Sequence, residues 1–386
     1  MRQDTAGPNV VLLTLSLVAL AAWLGLDTVS VAANRIVPGT GYRVAEVIGV
    51  SGALVTCVPW LALAGLAWRP TPRRFALGLA LVVLMLSALP VWLSLSAVTL
   101  ADSAQARLGI GAGIWVALFL LLLLMIELRT RLVLSQPIGW ALLLPPVSSM
   151  GLCLALWLEP LALWQEYRSR SGQFLGAVGE HLLLVGVAVG TSLVLGVVLA
   201  LAMRRWPGVQ KAGFGVLNFL QTIPSIALFG LLLAPLAWLS AHVDWLAALG
   251  VSGIGWAPAL LALVGYSLLP MVRNTFVALE AVDPGVIDAA RGMGMSRGQV
   301  FRQVRLPLAL PVILEGIRIT TVQAIGLTAV AALIGAGGLG TFIFQGLGQA
   351  AMDLVLLGAL PILVLALLVD ALLGALTDIL RPGGAE

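Results

Sequence analysis

The chain has one lysine, Lys211, two histidines, two cysteines and three tyrosines in 386 residues, and only 10% of it is charged. Each scarcity removes a class of function. A Gly-Lys-Ser/Thr loop that cradles phosphates needs a hydroxyl residue after its lysine. Lys211 is followed by Ala212, so the chain is not itself an ATPase of that type. His181 and His242 are too few for a histidine metal centre, and no His-Glu-x-x-His string is present. Cys57 and Cys153 lie in apolar segments, far from metal-site or redox-pair spacing, and read as small core residues. A soluble domain carries about 25% charged residues. With 60% hydrophobic residues, this chain is a polytopic membrane protein, and its formal charge of +4 does not indicate nucleic acid. The basic residues sit singly or in small groups between apolar runs.

What is present is a series of apolar runs. A membrane span needs about 20 mostly apolar residues. Ten are read, near 10–27, 47–68, 75–97, 109–126, 138–158, 181–203, 214–239, 254–272, 312–334 and 351–372. With both termini inside, sixteen of the 21 basic residues fall on the inner side, Arg2 and Arg381 among them, and five on the outer. The inner side is where lysine and arginine accumulate. That regularity favours an uncleaved first span over a signal peptide cut after Ala33. No stretch between spans is long enough for a soluble ligand-binding domain.

The chain divides into a five-span extension (1–160), an outer linker (161–177) that turns polar, a five-span domain (178–377) and an inner tail (378–386). In the extension, Trp23, Trp60, Trp68, Trp92, Trp115, Trp140 and Trp157 lie in or at the ends of apolar runs. For most of them the reading is an interfacial belt. The other use of such residues is a cage for a quaternary ammonium held by cation–π attraction. In the second domain, Gly186, Gly190 and Gly196 let helices approach closely, and His181 reads as structural. Asn218, Gln221 and Ser225 follow three- and four-residue steps and share a helical face, with Thr222 beside them. Uncharged amides in a span face another helix or a wet cavity. Together with Tyr266 and Gln323 they are the candidate pathway lining. Pro224 interrupts its span, Pro270 breaks the next, and Pro307 and Pro311 interrupt the one after. Asp370 lies near an inner helix end and is not read as a proton site.

The longest polar run is 288–307, on the inner side. Asp283 followed by Pro284 starts a helix, which passes through Val286, Ile287, Ala289 and Ala290 and meets Gly292 and Gly294. Ser296 and Gln299 form a Ser-x-x-Gln capping box that opens a second helix. Val300 and Val304 lie one turn apart beside Phe301.

Asp288-Ala289-Ala290, then Gly294, Val304 and Leu306-Pro307, resembles the coupling-loop motif of bacterial ABC importer permeases, Glu-Ala-Ala, Gly, Ile and Leu-Pro at these spacings. Asp288 stands for Glu and Val304 for Ile. The wider run, from Asn218-Phe-Leu-Gln221-Thr-Ile-Pro224 through Leu269-Pro270 to Ile334-Gly-Ala-Gly-Gly-Leu-Gly340, is similar to the osmoprotectant branch, which moves glycine betaine, carnitine, choline or proline betaine. The resemblance covers roughly the second half. It implies an all-α membrane protein of about ten transmembrane helices, the last five forming a type I importer core with a cytoplasmic coupling loop. It implies residence in the bacterial inner membrane, a partner ATPase dimer that uses the ATP while this chain holds no cofactor, a second permease subunit and a periplasmic or lipid-anchored binding protein. The glycine-rich turn, with Phe342 and Phe344, would help form an outer gate. The alternative is a stand-alone secondary transporter or channel. That would need coupling charges inside the spans, and the sequence shows no convincing acid–base pair there.

Overall fold

The computed structural model describes residues 7–35, 37–103 and 105–380. Arg2, Arg381 and the end of the tail lie outside the described residues. The chain forms two compact units, 1–169 and 170–386. Among the described residues, nine helical stretches are long and apolar enough to cross a membrane. The first expected span, Val10–Gly25, is apolar but has only 16 residues. At 1.5 Å per residue it reaches roughly 24 Å, short of the ~30 Å hydrocarbon layer.

The first unit runs α1 (Val10–Gly25), β1 (Val29–Ala32), β2 (Thr40–Tyr42), α2 (Val44–Leu66), α3 (Pro72–Leu100), β3 (Arg107–Ile110), α4 (Ala112–Arg131), α5 (Gln136–Ala141), α6 (Leu144–Leu156) and α7 (Ala162–Ser169). α1 packs on α2 and α4, and α3 packs on α4, α6 and α2. Their core is Leu12, Leu63, Leu93, Leu121, Leu124 and Leu128, all fully buried. Polar groups are satisfied at the helix ends. Asn9 caps α1 by accepting the Leu12 N–H, and its amide donates to Glu127 of α4 at 3.0 Å. The strands form a small antiparallel sheet in the order β2-β1-β3, an addition to the all-helical expectation. Beside it, buried Glu166 of α7 meets Arg107 at 2.8 Å and Arg35 at 3.0 Å. The 161–177 stretch, read as a linker, is largely helical.

The second unit runs α8 (Ser171–Arg205), α9 (Pro207–Thr222), α10 (Ser225–His242), α11 (Asp244–Ala248), α12 (Trp256–Glu280), α13 (Pro284–Gly292), α14 (Arg297–Gln299), a π-helical segment (Val300–Arg305), α15 (Leu306–Ala331), a 3₁₀ turn (Ala332–Ile334), α16 (Gly340–Gly348) and α17 (Met352–Leu380). α12 packs on both α8 and α15, and α15 on α17. Of the three glycines expected to bring helices together, Gly196 does. A Cβ there would sit 2.6 Å from Met271 Cγ, whereas Gly186 and Gly190 face open space. The chain breaks at Ile223-Pro224 as expected, so 214–239 is two helices. Pro270 and Pro311 do not break theirs: each lies inside a continuous helix.

Coupling loop and candidate pathway helices

α13 starts as its sequence dictates. The Asp283 carboxylate accepts the Gly285 N–H at 2.7 Å, with Pro284 in the first turn. It ends at Met293, and Gly294 follows at φ +84°, in the left-handed region that a non-glycine residue adopts at a cost. The capping box forms: Ser296 N–H donates to Gln299 Oε1 at 2.8 Å, and Gln299 N–H donates back to Ser296 Oγ at 3.4 Å. Ser296 lies in a Gly-x-Ser-x-Gly string, Gly294 to Gly298. A nucleophile elbow needs a strand-to-helix turn. Here the serine joins two helices as a cap.

The second helix is not separate. It widens into the π-helical segment, where the Leu306 N–H reaches back to Phe301 C=O, and runs straight into α15. A π turn opens the helix where the Pro307 ring would press on the preceding carbonyls, so Pro307 sits in the first turn of α15 without stopping it.

The motif residues divide by face. Ala290 and Val304, with Ile287 and Val300, turn inward onto Ala278, Leu279, Val282, Ala309 and Ile313, a shared apolar cluster that fixes the loop to the ends of α12 and α15. Asp288, Ala289, Gly294, Leu306 and Pro307 are exposed, and Asp288 pairs with Arg291 at 3.2 Å. Two residues missed at the sequence level share the outer side: Val286 is 43% exposed and Met293 76%. Their spacing with Ala289, three then four residues, places them on one helical face and could have revealed them.

Of the candidate lining residues, Gln221 and Tyr266 meet around two prolines. Proline has no N–H, so Pro270 leaves the carbonyl four residues back, that of Tyr266, without its helical donor. Gln221 Nε2 of α9 donates to that carbonyl at 2.8 Å. In return the Tyr266 hydroxyl donates to the Ile223 carbonyl, at the break before Pro224. The Gln221 bond satisfies the carbonyl that Pro270 frees. Thr222 donates to Phe219 C=O in its own helix at 2.7 Å. Asn218 is exposed, and Arg273 reaches its Oδ1 at 3.5 Å. Ser225 and Gln323 are half-buried.

Two further contacts were not legible from the sequence. Arg318 of α15 grips Asp370 of α17 bidentately, Nε to Oδ1 at 2.7 Å and Nη2 to Oδ2 at 2.8 Å, with Glu315 at 3.4 Å. The partners are 52 residues apart, so nothing local pairs them. The glycine-rich turn places Gly335, Gly337 and Gly338 at φ +79°. Glu180 of α8 accepts the Gly338 N–H at 2.9 Å, and a Cβ on Gly337 would lie 2.2 Å from that carboxylate. Phe342 is buried against Phe174. His181 is buried and bonds the Ile325 carbonyl at 3.1 Å, which fits its structural reading.

Residues 192–381 match the model of the binding-protein-dependent transport system inner membrane component. Over 205 residues the chain is 44% identical to the osmoprotectant import permease protein OsmW of Salmonella typhimurium, which covers 53% of this chain and 90% of that protein. The chain belongs to this permease family. It is a multi-pass transport permease of the ABC importer type. The glycine betaine/carnitine/choline transport system permease protein OpuCB of Bacillus subtilis is 32% identical over 57% of this chain and 94% of its own length. Residues 7–163 match a second model, the N-terminal domain of the ABC transporter permease YehY. Among solved structures, the inward-facing MetNI methionine ABC transporter aligns over 55% of this permease and 99% of that chain, at 22% identity and a TM-score of 0.47.

Proposed function

We propose that this permease forms the pathway for a small zwitterionic or quaternary-ammonium osmolyte of the glycine betaine kind, the chemistry named for its Bacillus relative, its Salmonella relative being named for osmoprotectants. A separate ATPase dimer drives it from the cytoplasmic side, a second permease subunit completes the pathway, and a separate binding protein delivers the substrate. This chain holds no ATP. The inner membrane is its site, with both termini cytoplasmic.

The observation that carries this reading is the two-sided coupling loop. Ile287, Ala290, Val300 and Val304 anchor it, while Val286, Ala289 and Met293 present an apolar strip outward. An amphipathic helix that offers such a strip docks in a groove of its partner. ATP-driven closure of the partner dimer then tilts the loop. The loop is continuous with α15, and Arg318–Asp370 couples α15 to α17. The pathway thus switches between two states, biased by nucleotide at one end and by the loaded binding protein at the other. Asn218, Ser225 and Gln323 are the lining groups, since Gln221, Thr222 and Tyr266 are engaged with backbone.

The test is uptake of radiolabelled glycine betaine by the reconstituted transporter carrying Met293→Asp or Gly294→Asp. Loss of uptake together with loss of ATPase co-purification supports docking through this face. Wild-type uptake in both variants, or substrate flux from the purified chain alone in liposomes, overturns it in favour of a self-sufficient transporter.

A further inference from the structure

The glycine-rich turn lies at the end of the second unit opposite the coupling loop, and it is tied there in two unlike ways. At the start of α12, the Gly255 N–H donates to the Ile334 carbonyl at 2.7 Å. Both partners of that bond are backbone, so no side chain sets its strength. Gly338 is buried, and a buried N–H has to find an acceptor. A single side chain supplies it: Glu180 Oε2 of α8, at 2.9 Å. The Gly338 carbonyl then accepts the Thr341 N–H at 3.1 Å and the Thr341 hydroxyl at 2.8 Å, which carries the turn into α16.

The packing around this bond is close. A Cβ on Gly337 would collide with the Glu180 carboxylate, and one on Gly338 would sit 3.3 Å from His181 Nδ1. On the far side, a Cβ on Gly358 of α17 would lie 2.6 Å from the Leu339 carbonyl oxygen. Phe342 of α16 is buried, with its ring 6.1 Å from that of Phe174 on α8. So α16 rests between α8 and α17, and the turn that leads into it touches α8 at two neighbouring residues. Those two differ. His181 is fully buried and bonds the Ile325 carbonyl of α15, a fixed joint. Glu180 is exposed and makes no ion pair among the described residues. Water can replace its bond to Gly338, so this joint opens at small cost.

We propose that Glu180 is a positioning residue for the transport cycle: its carboxylate latches the glycine-rich turn and α16 onto α8, and the latch opens when the loaded binding protein engages this end. The proposal rests on the importer reading above. The latch and the binding protein then bias one two-state equilibrium in opposite directions. Weakening the latch moves the transporter the way the loaded binding protein moves it.

The experiment measures ATP hydrolysis by the whole transporter, permease with its ATPase in lipid nanodiscs, with and without the loaded binding protein. Glu180→Ala removes the acceptor, and losing one exposed charge-assisted bond shifts a two-state balance about threefold or more. Hydrolysis without binding protein rises by that factor, and the stimulation that the binding protein adds falls to match. Glu180→Gln keeps an acceptor oxygen and stays close to wild type. Gly337→Ala pushes the carboxylate aside without removing it and reproduces the gain of Glu180→Ala. If Gly337→Ala, at φ +79°, does not purify, the two Glu180 variants decide. A merely structural role gives the opposite pattern, a lower melting temperature with less hydrolysis in both conditions, and that result overturns the proposal. So does an equal gain in Glu180→Gln. Wild-type stimulation beside an unchanged Glu180→Ala removes the latch and leaves the importer standing. Wild-type hydrolysis that ignores the loaded binding protein removes both.

Discussion

The two units treat polarity in opposite ways. In the first, hydrogen bonds and ion pairs gather at helix ends and in the loops, as with Asn9–Glu127 and Arg107–Glu166, and the interior is leucine and tryptophan. In the second, polar groups lie inside the helices: Gln221 and Tyr266 around two prolines, Arg318 gripping Asp370. A helix bundle that only has to persist gains nothing from interior polar groups, which cost free energy unless fully bonded. Interior bonds of defined partners suit a unit that must bend at chosen places and stay rigid at others. That contrast is what a static first unit and a moving second unit would show.

The sharpest way to break that contrast is at the docking face, where the largest effect is expected. Gly294 faces open space, so Gly294→Asp adds no clash. It adds a left-handed non-glycine residue, tolerable for aspartate at a cost of about 1 kcal/mol, and a charge. Met293→Asp places its charge in the middle of the apolar strip. A central contact of this kind is worth about 2 kcal/mol or more in binding, so uptake falls at least thirtyfold while the melting temperature of the isolated chain moves little. Trp140→Asp, a charge substitution at another exposed apolar residue, in the first unit, leaves uptake intact. Equal losses from both units would dissolve the contrast.

Next in size is the Arg318–Asp370 pair. Asp370→Asn leaves the guanidinium with one weaker partner, Glu315. Breaking a fully buried pair costs about 3–5 kcal/mol. These side chains are 30% and 44% exposed, so about 1–2 kcal/mol is expected after solvent screening. Thermal unfolding in detergent reads it. The triple variant Glu315→Gln/Arg318→Met/Asp370→Leu recovers most of the loss, because no charge of the cluster is left unpaired.

Gln221→Leu is expected to cost about 1–2 kcal/mol, the penalty of leaving the Tyr266 carbonyl bare. Pro270→Ala supplies that carbonyl with an N–H from its own helix. The double variant Gln221→Leu/Pro270→Ala is therefore close to wild type in thermal unfolding. Plain additivity of the two changes would show that Gln221 does not act through the carbonyl that Pro270 frees.

What could be read in advance follows the range of the interaction. The caps at Asp283 and Ser296 and the break at Pro224 are local, fixed by residues within four positions of one another, and the sequence predicts each; of the two glycines that could end α13, Gly292 and Gly294, only Gly294 is left-handed. The continuous helices through Pro270 and Pro311 are not local. Pro270 reads as a breaker until a residue 49 positions earlier, Gln221, takes over its orphaned carbonyl. The same distance hides Arg318–Asp370, whose members look like an inner basic residue and an inexpensive acid when read one at a time. The tryptophans lie between these cases: each falls in or beside an apolar run, but only packing sorts exposed Trp68, Trp140 and Trp157 from buried Trp23, Trp60 and Trp92. Val286 and Met293 stand at helical spacing with Ala289, a local signal that the motif residues between them do not carry.

The smallest effect is expected at Asp288, and it sharpens the contrast within the coupling loop itself. Asp288 and Arg291 form an exposed pair three residues apart on α13. Such pairs contribute about 0.3–0.5 kcal/mol, so Asp288→Asn leaves the melting temperature within error. Ala290→Asp, two residues along, forces a charge into the apolar cluster of Leu279, Val282 and Val300 and unfolds the loop. If both residues were only structural, uptake would follow stability, and Asp288→Asn would transport normally. If the Asp288 carboxylate meets a cation on the ATPase, Asp288→Asn lowers uptake with no change in stability, and raising the salt concentration reproduces that loss in the wild type. Uptake and unfolding measured on the same preparation distinguish the two, since only a docking role separates the two readouts.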